Sequence, residues 1–367
     1  MHFPDYSGGS IVHLMSTICR SFGGRPAAPQ ISLHLQQRVI LLVIDALGYS
    51  YIRKYGRSSV FVEHLSGKLD SVFPPTTAAA ITTLQTGLAP QQHGISGWYM
   101  YLREANRVAT VLPFVDRATG KRLRISRYRI FDQPALDTMF SASSALVMPS
   151  RIRGSHTCIH ARRTTERPYA TLPGMFRQAR ASRAAYTYAY WPAFDSLCHE
   201  FGPDSSETRN HFHALDAATE RFLRNVPKHT SVIITADHGI TAIRKTIFLE
   251  EHPELRETLR LPLAGERRSV YCSVFPEKRE QFVEYVQRKL KPYCTLLPSR
   301  TLLQDHRFGP GRAHPELKYR IGDYTLLMKE HYALKDVLPG EDHDAPLGHH
   351  GGVSREEMEV PLITYQS

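Results

Sequence analysis

The chain has 367 residues, 42% hydrophobic and 22% charged, with a formal net charge of +11. This is globular composition with apolar material for a sizeable core, and it excludes a repeat or low-complexity protein. The positive charge favours anionic partners. The densest basic stretch, 151–167, carries Arg151, Arg153, Arg162, Arg163 and Arg167. It has no aromatic interleaving and no helix-turn-helix or zinc-finger spacing, so nucleic acid is not an expected partner. No apolar run is long enough for a membrane span. The start of the chain, with Pro4 and Asp5, lacks a basic segment followed by an apolar one, so no secretory signal is expected. The five cysteines are odd in number, widely spaced and contain no CxxC pair. They imply neither a disulfide framework nor a cysteine-held zinc, and a cytoplasmic location is expected.

In chain order, residues 39–44 form an unbroken aliphatic run that predicts a strand buried on both faces and ending at Asp45. A helix over 78–84 follows the Pro74-Pro75 pair. The alternation over 97–127, around Ala118-Thr119-Gly120, predicts a projecting hairpin. Strands are predicted over 184–190 and 231–236. A helix is predicted over 206–226, with Asp204 and Glu207 as its capping pair. Strands alternating with helices imply an α/β fold with a mainly parallel central sheet sandwiched by helices. Sites in such sheets lie at the C-terminal strand ends, where Asp45 and Asp237 fall. Beyond residue 244 the texture changes. A strand over 269–275, a helix over 277–290, a loop-rich stretch over 295–314 and a strand over 323–328 read as a smaller α+β insertion. The expected organisation is a catalytic core over 1–244, the insertion over 245–340, and a return to the core over 341–367 that ends in a strand over 360–365.

Aspartate oxygen and histidine nitrogen are ligands that zinc and similar divalent ions favour. They recur here at Asp45, Asp195, His199, Asp237, His238 and the Gly348-His349-His350-Gly351-Gly352 turn. Asp195 and His199 stand one helical turn apart, on one face. Thr76 and Thr77 lie at a predicted helix start, where unpaired N–H groups and the helix dipole favour a phosphate. Either threonine can also serve simply as a cap. Each signal is weak alone; their joint occurrence carries the reading.

In this order the motifs resemble the alkaline phosphatase superfamily, in its type I phosphodiesterase/nucleotide pyrophosphatase branch. Ile44-Asp45-Ala46-Leu47-Gly48 looks like its first metal aspartate and glycine turn. Phe73-Pro74-Pro75-Thr76-Thr77, followed by Thr86-Gly87, Pro90 and His93-Gly94-Ile95, looks like its nucleophile segment. Asp195 to His199, then Gly202-Pro203 and Ser205, matches its second metal motif, with Cys198 in place of the usual glycine. Thr235-Ala236-Asp237-His238-Gly239 and Gly348-His349-His350-Gly351 match the last two, and the second selects His350 over His349. The resemblance spans about 39–362.

The resemblance implies two divalent ions, most simply zinc. Asp195, His199 and His350 would hold one. Asp45, Asp237 and His238 would hold the other, with Thr77 beside them as the nucleophile. The implied activity is hydrolysis of a phosphodiester or nucleotide pyrophosphate bond in a small anionic substrate. A phosphomonoesterase or phosphonate hydrolase of the same superfamily is the alternative. A non-catalytic binder of anionic polymers is the alternative from another class. Where the family carries an asparagine that donates to a phosphate oxygen, this chain has Trp98. Trp98 and Arg103 are therefore the expected substrate-binding residues. Oligomeric state is left open by the sequence.

Overall fold

The structure, a computed structural model, describes residues 1–26, 28–152, 157–160 and 164–367. Arg153, Arg162 and Arg163 of the basic stretch lie outside the described residues. The first aliphatic run forms the strand Arg38–Ile44, buried from Val39 onward, in the middle of a seven-stranded sheet. It pairs in parallel with Tyr186–Trp191 on one side and Thr230–Thr235 on the other. Beyond the first neighbour lie Ser144–Pro149 and then Thr165–Tyr169, again parallel. Beyond the second lies Glu359–Gln366, antiparallel to it, and then Leu65–Asp70, antiparallel to Glu359–Gln366 and so running with the other five. The sheet is mostly but not wholly parallel. The exception has a simple cause: the last strand leaves the loops at the C-terminal strand ends and must run back through the sheet.

Helices cover the sheet because each has one apolar stripe to bury. Ile11–Ser21 packs on Thr77–Thr86, and Ser206–Leu223 packs on both Ala193–Phe201 and Leu172–Ala181. Among the described residues no helix is long and apolar enough to cross a membrane. The start of Ser206–Leu223 corrects the sequence expectation. Ser205, not Asp204, is its cap, accepting from the Thr208 N–H at 3.1 Å. Asp204 accepts instead from Lys54 Nζ at 2.9 Å and the Tyr55 hydroxyl at 2.8 Å. A hydroxyl one position later was the better-placed acceptor, and the carboxylate found a cation across the chain.

A second seven-stranded sheet is antiparallel throughout. Its strands Cys294–Pro298, Tyr324–Met328, Ser269–Cys272 and Ala264–Gly265 come from the segment read as an insertion. The sheet then continues through Tyr99–Leu102, Arg107–Thr110 and Val115–Asp116. The hairpin therefore does not project alone; Tyr99 pairs with Gly265 and extends this sheet. Two glycines permit the junction: a Cβ on Gly97 would stand 2.7 Å from Gly265 Cα. The smaller body is thus drawn from two separate stretches of chain. Within it, the part of 295–314 read as loop contains a strand and the helix Ser299–Gln304. That strand exists by pairing with Tyr324–Met328, which no local pattern announces.

Candidate active site

Three adjacent parallel strands end at one edge of the central sheet, and each delivers chemistry there. Asp45 follows Arg38–Ile44. Asp237 and His238 follow Thr230–Thr235 by two and three residues. Asp195 and His199 lie on Ala193–Phe201, the helix just after Tyr186–Trp191. His350 arrives from the turn after Gly348–His349, a short strand paired with Thr241–Ala242. Thr77 is the first residue of the helix Thr77–Thr86, with Thr76 as its extended N-cap.

The side chains converge. The Thr77 Oγ1 lies 3.1 Å from His238 Nε2. His238 Nε2 stands 3.4 Å from Asp45 Oδ1 and 3.4 Å from Asp237 Oδ2. His199 Nε2 is 3.3 Å and His350 Nε2 3.9 Å from Asp195 Oδ1. The His238 and His350 rings stack with centroids 3.8 Å apart. Ligand atoms of Asp45, Asp237 and His238 all fall within 4.8 Å of one another, as do those of Asp195, His238 and His350. His238 thus stands between the two expected groups, and His199 reaches Asp195 from the outer side.

Hydrogen bonding fixes which atoms point inward. His238 Nδ1 donates to the Gly239 carbonyl at 3.0 Å, His350 Nδ1 to the Pro75 carbonyl at 3.2 Å, and His199 Nδ1 to the Gly348 carbonyl at 2.8 Å. With Nδ1 carrying the proton, each Nε2 turns a lone pair toward the carboxylates, and that of His238 also accepts from the Thr77 hydroxyl. Asp45 Oδ1, Asp195 Oδ1 and Asp237 Oδ2 are buried and accept no hydrogen bond. Among the described residues no lysine or arginine pairs with these three carboxylates. Burial, then the charges of Asp237 and Asp195, push the Asp45 carboxyl well above its ordinary range. Burial, with His238 and His199 beside it, pushes His350 well below its own. Unprotonated nitrogens facing unpaired buried oxygens repel unless cations lie between them. The residues present therefore fit divalent metal.

The surrounding bonds hold the carboxylates in place. The Tyr190 hydroxyl donates to Asp45 Oδ2. Asp237 Oδ1 accepts from the N–H groups of His238 at 3.0 Å and Ala46 at 3.2 Å.

Trp98 and Arg103 part company. Trp98 lines a cavity that opens on Asp45, Thr77 and Asp195. Arg103 is committed elsewhere: it makes a forked pair with Glu316, at 3.0 Å from Nε and 2.6 Å from a terminal nitrogen, and lies 4.2 Å over the Tyr319 ring. It is exposed where the hairpin turns and is not among the residues that line that cavity. Tyr99 and Tyr101 are also occupied, the first beneath Arg117 at 3.9 Å and the second bonded to Asn106 at 2.9 Å.

One residue escaped the sequence reading. Glu266, from the second sheet, is buried against the edge of the site. Its Oε1 accepts from the Thr76 hydroxyl and, at 2.7 Å, from the Trp98 N–H. Burial lifts its carboxyl to about 7 against those two bonds. A lone glutamate after Gly265 carries no motif, so nothing local could have marked it.

A buried sheet edge with a threonine hydroxyl among paired Asp/His sets defines a class of phosphate-handling metal enzyme. The type I phosphodiesterase/nucleotide pyrophosphatase family model matches residues 39–352, and the chain belongs to that family. The family is metal-dependent, and the chain is a phosphoric ester hydrolase. No curated protein sequence matches it. Among solved structures, it is similar to an inactive form of murine ectonucleotide pyrophosphatase/phosphodiesterase 5 in complex with AMP. The TM-score is 0.67 at 17% identity, covering 90% of this chain and 88% of that one. It is also similar to phosphonoacetate hydrolase from Sinorhizobium meliloti 1021 in complex with phosphonoformate. There the TM-score is 0.63 at 17% identity, covering 90% of each chain. At that identity the likeness is one of fold.

Proposed function

We propose that this chain hydrolyses phosphodiester or nucleotide pyrophosphate bonds, with Thr77 as nucleophile and two zinc-like ions as cofactors. The observation that carries the proposal is the three unpaired carboxylate oxygens and three unprotonated Nε2 atoms gathered beside the Thr77 hydroxyl. Asp45, Asp237 and His238 would hold one ion, and Asp195, His199 and His350 the other. Such ions, when bound, neutralise phosphoryl oxygens and favour loss of the nucleophile's proton.

The chain's own residues do the rest. Thr77 stands at a helix N-terminus, where first-turn N–H groups without intrahelical acceptors face the phosphoryl oxygens. The Thr77 oxygen attacks phosphorus, the bond to one ester oxygen breaks, and that group leaves as an alcohol or phosphate. Water then cleaves the phosphothreonine and returns the hydroxyl. Trp98, in place of a polar donor, offers one N–H and an apolar face. With Arg103 paired to Glu316, this favours the singly charged phosphate of a diester over a dianionic monoester.

The test compares kcat/KM for bis(p-nitrophenyl) phosphate and p-nitrophenyl phosphate on one zinc-loaded preparation. A diester preference that vanishes in Thr77→Ala is expected. A tenfold monoester preference would overturn the diesterase reading.

A further inference from the structure

The cavity beside Thr77 is far larger than a phosphate requires. Its volume is about 860 Å³, within the range of sites that enclose a whole organic molecule. Because it opens on Thr77, one substituent of the phosphoryl group must lie in it. Leu112, Phe114, Leu123, Ile125 and Met148 supply apolar wall. Those from 112 to 125 belong to the part of 97–127 that follows the strand Arg107–Thr110. Arg122, Arg127 and Arg151 line the same cavity. Among its described lining residues the only carboxylates are Asp45 and Asp195, at the metal end.

Of the three arginines, Arg122 and Arg151 are exposed at the mouth of the cavity and Arg127 is the one held by packing. Arg127 is half-buried, donates to the Leu112 carbonyl at 3.0 Å, and lies over the Phe114 and Phe131 rings at 5.3 Å and 4.7 Å. Burial and the neighbouring Arg122 bring its guanidinium down to about 10, still a cation at neutral pH. Cations lining a cavity with apolar walls raise the local concentration of anions. The Gln85 side-chain oxygen, an acceptor that a base edge could use, is already taken by the Thr157 hydroxyl at 3.0 Å and the Cys158 thiol at 3.3 Å.

We infer that the substituent held in this cavity is an apolar aryl or alkyl group that ends in an anion of its own. The inference rests on the hydrolase reading above and deepens it to a substrate class: phosphodiesters bridging to an organic acid, in preference to nucleosides.

The test uses p-nitrophenyl phosphodiesters whose second group is methyl, phenyl, 4-carboxyphenyl or 5′-thymidine, on zinc-loaded protein. Phenyl should exceed methyl in kcat/KM by about tenfold or more, as apolar contacts of this size allow. The carboxylate should add a further factor of about three, because Arg122 and Arg151 are exposed and screened. That factor should shrink with added salt. It should disappear in the Arg122→Ala, Arg151→Ala double variant while the phenyl-to-methyl ratio remains. A thymidine ester above the carboxyphenyl ester, or a carboxylate penalty in the wild type, overturns the inference.

Calorimetry with methyl, phenyl and 4-carboxyphenyl phosphate reads the same order without turnover. Graded binding with no hydrolysis of any diester would sink the hydrolase reading and leave the cavity's specificity standing. Hydrolysis with flat binding across the three would do the reverse.

Discussion

Glu266 couples the second sheet to the nucleophile, and its removal gives the sharpest test of the site's construction. Glu266→Ala strips the acceptor from two groups, the Thr76 hydroxyl and the Trp98 N–H. Leaving buried donors unsatisfied costs about 1–3 kcal/mol each, and the truncated side chain leaves a void, so the loss should be about 3–5 kcal/mol in all. Thr76 stands at the N-cap position of the helix that Thr77 begins and spends its hydroxyl on Glu266, so loss of that bond should reach the chemistry. A displacement of about 1 Å at a reacting group can slow a reaction about 100-fold. Glu266→Gln keeps an acceptor oxygen and should stay within about 1 kcal/mol of the wild type. Urea unfolding gives the stability, and kcat and KM for bis(p-nitrophenyl) phosphate give the function. The alanine variant should lose kcat more than KM, and glutamine should restore it. An alanine variant with wild-type unfolding midpoint and kcat would refute the reasoning, since the two hydrogen bonds would then carry nothing.

Thr77→Ala should keep fold and metal content but lose activity by a factor on the order of 10⁴, with Thr77→Ser retaining part of it; loss in Thr76→Ala together with full activity in Thr77→Ala would identify the other threonine. A chelator should abolish turnover and lower the melting temperature, because ions that bind only the folded state stabilise it; unchanged melting and activity after complete metal removal, checked by elemental analysis, would count against metal at this site. Arg268 and Glu357 form a forked pair at 2.7 and 2.9 Å, both fully buried, beside the Gly352 N–H that Glu357 also accepts. Arg268→Met leaves that carboxylate unpaired and should destabilise by about 3–5 kcal/mol in urea unfolding. His93 is buried and held near pKa 3, first by burial and then by His314 and Arg320, with Asp132 opposing. Its folded value lies below its unfolded one, so its contribution is complete above about pH 6.5 and is lost as pH falls toward 3, with a slope of about 1.4 kcal/mol per pH unit. His93→Gln should flatten acid unfolding by that slope in this window, and an unaltered pH profile would show that His93 is not kept neutral.

What the sequence by itself determined was local or linear. The unbroken aliphatic run made Arg38–Ile44 a buried strand, because a strand covered on both faces accommodates that composition, and the strand expected over 231–236 is Thr230–Thr235. The order of the Asp, Thr and His motifs carried the family, and the family model's match over 39–352 accords with it. A cap one residue away, at Ser205, was misplaced because neighbouring polar side chains compete for the same N–H. Only the tertiary structure decided what depended on distant chain. Arg103 was drawn to Glu316, 213 residues away, by a forked ion pair that no spacing reveals. Glu266 reached Thr76 across 190 residues through a sheet whose strands come from both sides of the central core. The hairpin's place in that sheet turned on the pairing of Tyr99 with Gly265, beside the close approach of Gly97. Periodicity encodes which face of an element is apolar; which partner meets that face is set by packing, and the cavity beside Thr77 exists only where the two bodies meet.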